Sequence, residues 1–118
     1  MGRIIHTTNP TRLRTLALKK MTSAIQTFLR APGKDADLFE LGATLTASLQ
    51  EIYESIDRSA AAWEKRDYWL KADAFRRQWM WVERFLSGMK QSVASKNAAD
   101  LQTQIIGLGE KLGSLKIK

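Results

Sequence analysis

Arginine and tryptophan side chains recur on one predicted helix at a spacing that suits contact with a polyanion. Arg77, Trp81 and Arg84 are separated by four and three residues, which places them on one side of a continuous α-helix. Guanidinium groups bind phosphates, and an indole ring between them offers a surface for stacking. The same side chains could instead meet a neighbouring subunit, with Trp81 buried and the arginines paired with its acids. The sequence leaves both alternatives open.

A second group of cations lies on the first predicted helix, which contains no acidic residue. These further candidates for contact with nucleic acid or a protein partner are Arg12, Arg14, Lys19, Lys20 and Arg30. A merely solvated face is the alternative for them. Binding to a membrane surface is disfavoured, because the apolar stripe of the same helix is needed for packing. We expect no membrane partner.

The net charge of +7 is distributed unevenly along the chain. Residues 1–34 hold seven cations and no acid, residues 35–64 hold seven acids and one cation, and residues 65–118 hold eleven cations and five acids. Two basic segments flanking an acidic one could bind a polyanion, or could pair charges between helices or subunits.

The residue types needed for most catalytic centres are scarce. The chain has no Cys and a single His, His6, so neither a thiolate site nor a histidine-rich metal site can be built within one chain. We therefore predict a protein that is not an enzyme and has no metal or cofactor. Neither a membrane-spanning run nor a signal-peptide core is present, which favours a cytoplasmic location.

The spacing of apolar residues predicts four helices that would carry these candidates. The first runs over Pro10–Arg30, between an Asn9-Pro10 start and a Pro32-Gly33 stop. The second begins at Asp37, which resembles a capping box with Glu40, with Asp35 as an alternative cap. A chain reversal is expected near residues 63–67, because an unbroken helix of about 50 residues, from 37 to 89, would be about 75 Å long and the rest of the chain could not cover it.

The third predicted helix, residues 68–89, has two apolar faces. The core face consists of Tyr68, Ala72, Phe75, Trp79, Val82, Leu86 and Met89. The opposite face consists of Leu70, Ala74, Arg77, Trp81, Arg84 and Gly88, which would be awkward to leave in water on a monomer. Trp63, Trp69 and Trp79 are predicted to pack inside the protein.

The fourth predicted helix starts near Ala98, capped by Ser95 or Asn97, and contains an unusual set of glycines. Gly107, Gly109 and Gly113 indicate close approach of another backbone. Together, the four helices predict an all-α, antiparallel up-down-up-down four-helix bundle. We expect one domain over residues 1–118, with residues 1–9 as a flexible leader.

The third helix and the tail carry a family resemblance over roughly the last 50 residues. Its features are Ala72-Asp73-Ala74, then Arg84-Phe85-Leu86 with Gly88, and finally Gly109 with Leu112-Gly113-Ser114. The pattern resembles the four-helix-bundle family that includes the accessory variability determinant of diversity-generating retroelements and the proteins encoded in intervening sequences of 23S ribosomal RNA genes. Glu83, Glu110 and Lys111 depart from it.

The resemblance implies a basic, homopentameric, barrel-like assembly with no active site of its own. In the retroelement branch, such a protein associates with a reverse transcriptase and its RNA or DNA template during mutagenic homing. The alternative is a structural or RNA-associated protein of the 23S intervening-sequence type, without a reverse transcriptase partner.

Overall fold

A computed structural model describes residues 9–31 and 33–115. They form five α-helices and no strand, so the all-helical class is confirmed. The helices are α1 (Pro10–Arg30), α2 (Asp35–Glu64), α3 (Trp69–Gln78), α4 (Met80–Ala94) and α5 (Ala98–Ser114). His6 and the predicted leader, apart from Asn9, lie outside the described residues.

The first helix has the predicted bounds, and its first turn explains why. The side-chain oxygen of Asn9 accepts a hydrogen bond from the backbone N–H of Arg12 at 2.8 Å, and Pro10 stands where a missing N–H costs nothing. Ala17, Met21 and Ile25 are buried on one side of the helix, as their spacing indicates. The opposite side is therefore free to carry charge.

The second helix begins two residues before the predicted start. Lys34 is its N-cap, and the backbone N–H of Lys34 donates to the carboxylate of Asp37 at 3.0 Å. Asp37 thus serves the helix terminus from inside the first turn. The helix ends at Glu64, which confirms the reversal expected near residues 63–67.

The third predicted helix is broken at Trp79, and this is the main correction to the sequence-based fold. Trp79 has φ −106° and ψ 12°, and its carbonyl accepts from Val82 in a tight turn. In a continuous helix Trp79 and Trp81 would point to nearly opposite sides, about 200° apart. Instead their rings stack, with centroids 5.9 Å apart. The break lets both indoles pack inside the protein.

The connection before the last helix is also shorter than predicted. α4 continues to Ala94, beyond the expected end at residue 89. The side chain of Asn97 then caps α5, because its oxygen accepts from the backbone N–H of Asp100 at 3.0 Å. The polar segment after Met89 is therefore mostly helix, and only Ser95, Lys96 and Asn97 connect α4 to α5.

One apolar core joins α1, α2, α4 and α5, while α3 packs against α2 and its successor α4. Leu45, Leu49 and Ile52 on α2 are fully buried. Burying such a side chain contributes about 1.5–3 kcal/mol. The other large, fully buried apolar residues are Met21, Val82, Met89, Leu101, Ile105 and Leu108.

The glycines of α5 do not admit a neighbouring backbone in the described structure. A Cβ atom at Gly107 would meet the Phe85 ring at 3.3 Å, and one at Gly109 would meet the Ile25 side chain at 3.3 Å. At Gly113 nothing lies within 4 Å. The predicted close approach of a backbone is therefore not found within the described chain, where side chains lie beside Gly107 and Gly109 and the space at Gly113 is open.

Candidate nucleic-acid interface

The outward side of α1 carries a row of cations. Arg12, Lys19 and Arg30 are exposed, and their separations of seven and eleven residues place them within about 20° of one another around the helix. They extend over about 27 Å of helix length. Lys20, next to Lys19, is exposed as well. We call these four residues the α1 row.

No member of the α1 row forms an ion pair with another described residue. α1 has no acid of its own, and although it packs against the acidic α2, the carboxylates of α2 do not reach its cations. Arg12 lies in the first turn, where the helix dipole disfavours a positive charge. The row is thus a set of uncompensated charges that faces away from the protein.

Arg14 does not belong to this row, which corrects its place among the sequence candidates. Its side chain is only 6% exposed, and Nη1 donates to the Ser55 carbonyl at 3.4 Å and to the Ser59 hydroxyl at 3.2 Å. The guanidinium lies 5.0 Å from the Phe75 ring centroid and 5.5 Å from that of Trp79. Arg14 is therefore covered by protein.

The environment of Arg14 is unusual for a buried cation, because no described carboxylate pairs with it. Burial lowers the pKa of the Arg14 guanidinium, and the nearby positive charge of Arg58 lowers it further. Neutral oxygens and aromatic faces stabilise the charge in place of an acid.

Trp81 is likewise not on a solvent-facing ridge. It is 9% exposed, its ring contacts those of Trp79 and Phe85, and the ammonium group of Lys111 lies 5.7 Å from its centroid. The break at Trp79 places it in the core. The expected surface of Arg77, Trp81 and Arg84 therefore does not exist as a unit.

The two arginines of that expected surface are exposed, but on different helices. Arg77, near the end of α3, pairs with Asp73 one turn earlier in the same helix. Arg84 lies on α4 and forms no ion pair with any residue that the structure describes. Each could still contact a ligand or a neighbour, without an aromatic ring between them.

A different set of aromatic side chains reaches the solvent, at the turn between α2 and α3. Tyr68 is 53% exposed, Trp69 60% and Leu70 87%. Lys65, Arg66 and Lys71 flank them in sequence and are exposed as well, with the Lys71 ammonium group 5.5 Å from the Trp63 ring centroid. We call residues 65–71 the tip. Asp67 is the acid of the tip, in the left-handed conformation with φ 63°.

Sequence reasoning placed Tyr68 and Trp69 inside the protein. Tyr68 precedes Ala72 by four residues and so continues the core stripe, but it is the N-cap of α3, where the helix leaves the core. The available signal was the consecutive run Tyr68-Trp69-Leu70 directly after the reversal. Three neighbouring residues cannot share one helix face.

An ion-pair network fixes α3, and with it the tip, against α2. Arg76 pairs with Asp57 at 3.2 Å and with Glu64, and the hydrogen bonds that Arg76 donates, first to Glu64 and then to Asp57, raise its pKa. Trp63 meets Phe75 edge to face at 4.9 Å. The start of α1 lies at the same end of the molecule as the tip, because Arg14 contacts both Ser59 near the end of α2 and Phe75 on α3.

Other chemistry is sparse in the part of the chain that the structure describes. Tyr53, Asp57, Arg76, Trp79 and Glu83 line a cleft of about 240 Å³ beside the helix break. Within residues 9–31 and 33–115, no group of three or more His, Asp or Glu side chains is placed to hold a metal ion. None of the helices described there is long and apolar enough to cross a membrane.

Comparisons with protein-family models, curated proteins and solved structures find no match to this chain. The resemblance to the accessory variability determinant and the 23S intervening-sequence proteins thus stays a prediction.

Proposed function

We propose that this chain is a nonenzymatic basic accessory protein that binds nucleic acid through the α1 row. The observation that carries the proposal is an outward line of cations, Arg12, Lys19 and Arg30, on a helix without a single acid. Positive charges that no acid compensates repel one another and attract a polyanion. Nucleic-acid backbones supply regularly spaced negative charge of this kind.

The proposal extends, through the family resemblance, to the biological setting. The bundle would be an antiparallel four-helix bundle, with α3 and α4 together as its third helix, assembled as a homopentamer in the cytoplasm. A reverse transcriptase and its RNA or DNA template are the proposed partners, in the mutagenic homing of a diversity-generating retroelement. The protein would position the template and leave polymerisation to its partner.

A 23S intervening-sequence type of protein is the second candidate. The α1 row supports it equally, since an RNA backbone suits the same cations. The two candidates differ in the protein partner. Co-purification with a reverse transcriptase encoded beside this gene is expected for the first, whereas the second predicts RNA association alone.

The salt dependence of binding tests the proposal. We expect the affinity for a short DNA or RNA duplex to fall steeply as NaCl rises, because each contacted phosphate releases counterions. Replacing Arg12, Lys19 and Arg30 together by Gln should reduce the slope of log affinity against log salt by about 3, or about 1 for each lost phosphate contact. Fluorescence anisotropy with a labelled duplex measures both quantities.

A matched variant controls for net charge. Replacing Arg58, Lys90 and Lys96 by Gln removes the same number of exposed cations from other parts of the surface. This control should keep most of the slope. Equal losses in the two variants would show that only the total charge matters, and binding that does not change with salt would contradict the proposal.

A further inference from the structure

We infer that the tip, residues 65–71, binds unpaired bases of single-stranded nucleic acid by stacking on Trp69 and Tyr68. This inference rests on the proposed function and adds a second contact surface with a different ligand preference. The α1 row presents cations without an exposed aromatic ring, whereas the tip presents two aromatic rings among cations.

The exposure of the two rings is the first step of the argument. Trp69 leaves 60% and Tyr68 leaves 53% of its surface in contact with solvent. Neither ring contacts another aromatic side chain among the described residues, in contrast to the paired rings of Trp79 and Trp81. Stacking a base on such a free ring removes apolar surface from water on both partners.

The charge around the rings is the second step. Lys65, Arg66 and Lys71 contribute positive charge, and none of them forms an ion pair within the described chain. Asp67 opposes them, while Asp73 is already paired with Arg77. The tip therefore keeps a positive excess beside its aromatic rings, which is the combination that single-stranded nucleic acid binds.

The rigidity of the tip is the third step. Asp67 closes the turn with the Tyr68 N–H bonded to the Trp63 carbonyl at 2.9 Å, and Arg76 anchors α3 to Asp57 and Glu64. Because the backbone of the turn is held in place, a stacking base has to order only the rotation of the ring side chain.

The discriminating experiment compares one DNA strand in three forms: single-stranded, fully duplex, and single-stranded with abasic sites in place of bases. We expect Trp69→Ala to weaken binding of the single strand about 5- to 150-fold, the range expected for one lost stacked base. Its affinity for the duplex and for the abasic strand should change less than about twofold, since neither offers an unpaired base. Trp69→Phe, which keeps an aromatic face, should restore most of the affinity.

Two further variants separate stacking from other uses of an apolar tip. Leu70→Ala removes the most exposed large apolar side chain of the described residues, at 87% exposure, and should leave single-strand binding unchanged. Asp67→Asn keeps a residue that tolerates the left-handed turn but removes the acid, and should tighten single-strand binding up to about fivefold.

Several outcomes would overturn the inference. Unchanged single-strand binding by Trp69→Ala, with salt-dependent duplex binding intact, removes the tip site and leaves the proposed function standing. Equal losses in Trp69→Ala and Leu70→Ala indicate general apolar docking, and a smaller native mass of Trp69→Ala identifies the tip as a contact between copies. Absence of duplex and single-strand binding at low salt contradicts the tip site and the proposed function together.

Discussion

Arg14 shows how a cation can be structural without an acidic partner. Its guanidinium lies over the rings of Phe75 and Trp79 and donates to Ser55, Ser59 and Thr11. The Ser55 hydroxyl also donates to the Ile52 carbonyl at 2.7 Å, so it keeps a partner without Arg14. The side chain thus contributes mainly volume and aromatic contact.

From this environment we predict that two Arg14 substitutions differ in their effect on stability. Arg14→Met fills a similar space without a charge to desolvate, and should change the free energy of unfolding by less than about 1 kcal/mol. Arg14→Ala leaves a cavity beneath the two rings and should cost about 2–4 kcal/mol. Urea unfolding followed by circular dichroism measures both. A loss for Arg14→Met as large as that for Arg14→Ala would mean that the charge itself is needed.

Trp81 and Trp69 provide a second comparison at the residue scale, because the structure exchanges their expected positions. Trp81→Ala should lower the free energy of unfolding by about 3–5 kcal/mol, since the ring lies in the core against Trp79 and Phe85. Trp69→Ala should change it by no more than about 0.5 kcal/mol, because the ring is mostly in solvent. Similar losses for both would contradict the break at Trp79. Chemical denaturation measures the free energy of unfolding of both variants, with Trp81→Phe and Trp69→Phe as matched controls.

At the scale of elements, the ends of α2 and α4 share a motif that glycine usually marks. After α4, the Asn97 N–H bonds the Ser92 carbonyl at 3.0 Å and the Lys96 N–H bonds the Val93 carbonyl at 3.2 Å. Lys96 itself has φ 56°. After α2, Asp67 takes the same role. These are Schellman motifs built on non-glycine residues.

This chemistry explains which parts of the fold could be predicted from sequence. The start of α1 and the cap of α5 follow from Asn9 and Asn97, whose side chains bond the helix locally. The length of α4 could not be predicted, because its end depends on Lys96, a residue type without a turn preference. The break at Trp79 was also hidden, since neither Gly nor Pro marks it and the stacking of Trp81 on Trp79 is not apparent from helical spacing.

The left-handed conformation of Lys96 leads to a prediction for the helix end. Lys96→Gly should raise the free energy of unfolding by about 1 kcal/mol, because a side chain is disfavoured at positive φ and glycine is not. Lys96→Ala retains the Cβ atom and should give no such gain. Thermal unfolding of the two variants measures the difference, and equal stability would show that the left-handed turn is not strained.

At the scale of the whole molecule, only part of the candidate interface was accessible to sequence reasoning. The α1 row follows from helical spacing alone, because a surface helix needs no tertiary information to place Arg12, Lys19 and Arg30 together. Arg14 lies on the same helix but faces inward, and the burial of its side chain depends on the Ser and aromatic residues of α2 and α3. The tip depends on where one helix stops and another leaves the core, which single-residue preferences do not fix.

The proposed pentamer can be tested through the sign of its salt dependence. Each chain carries a charge of +7, so copies repel one another, and screening should favour assembly as NaCl rises. We expect sedimentation to show a mass approaching about 67 kDa, five times the 13.4 kDa chain, with more assembly at 0.5 M than at 0.05 M NaCl. Nucleic-acid binding should weaken over the same range, so the two responses have opposite signs.

A mass that falls with salt would instead support the other use of these charges, in which Arg77 and Arg84 pair with acids of a neighbouring copy. In that case Arg77→Glu with Arg84→Glu should dissociate the assembly, whereas in a pentamer held by apolar contacts the same variant should remain assembled.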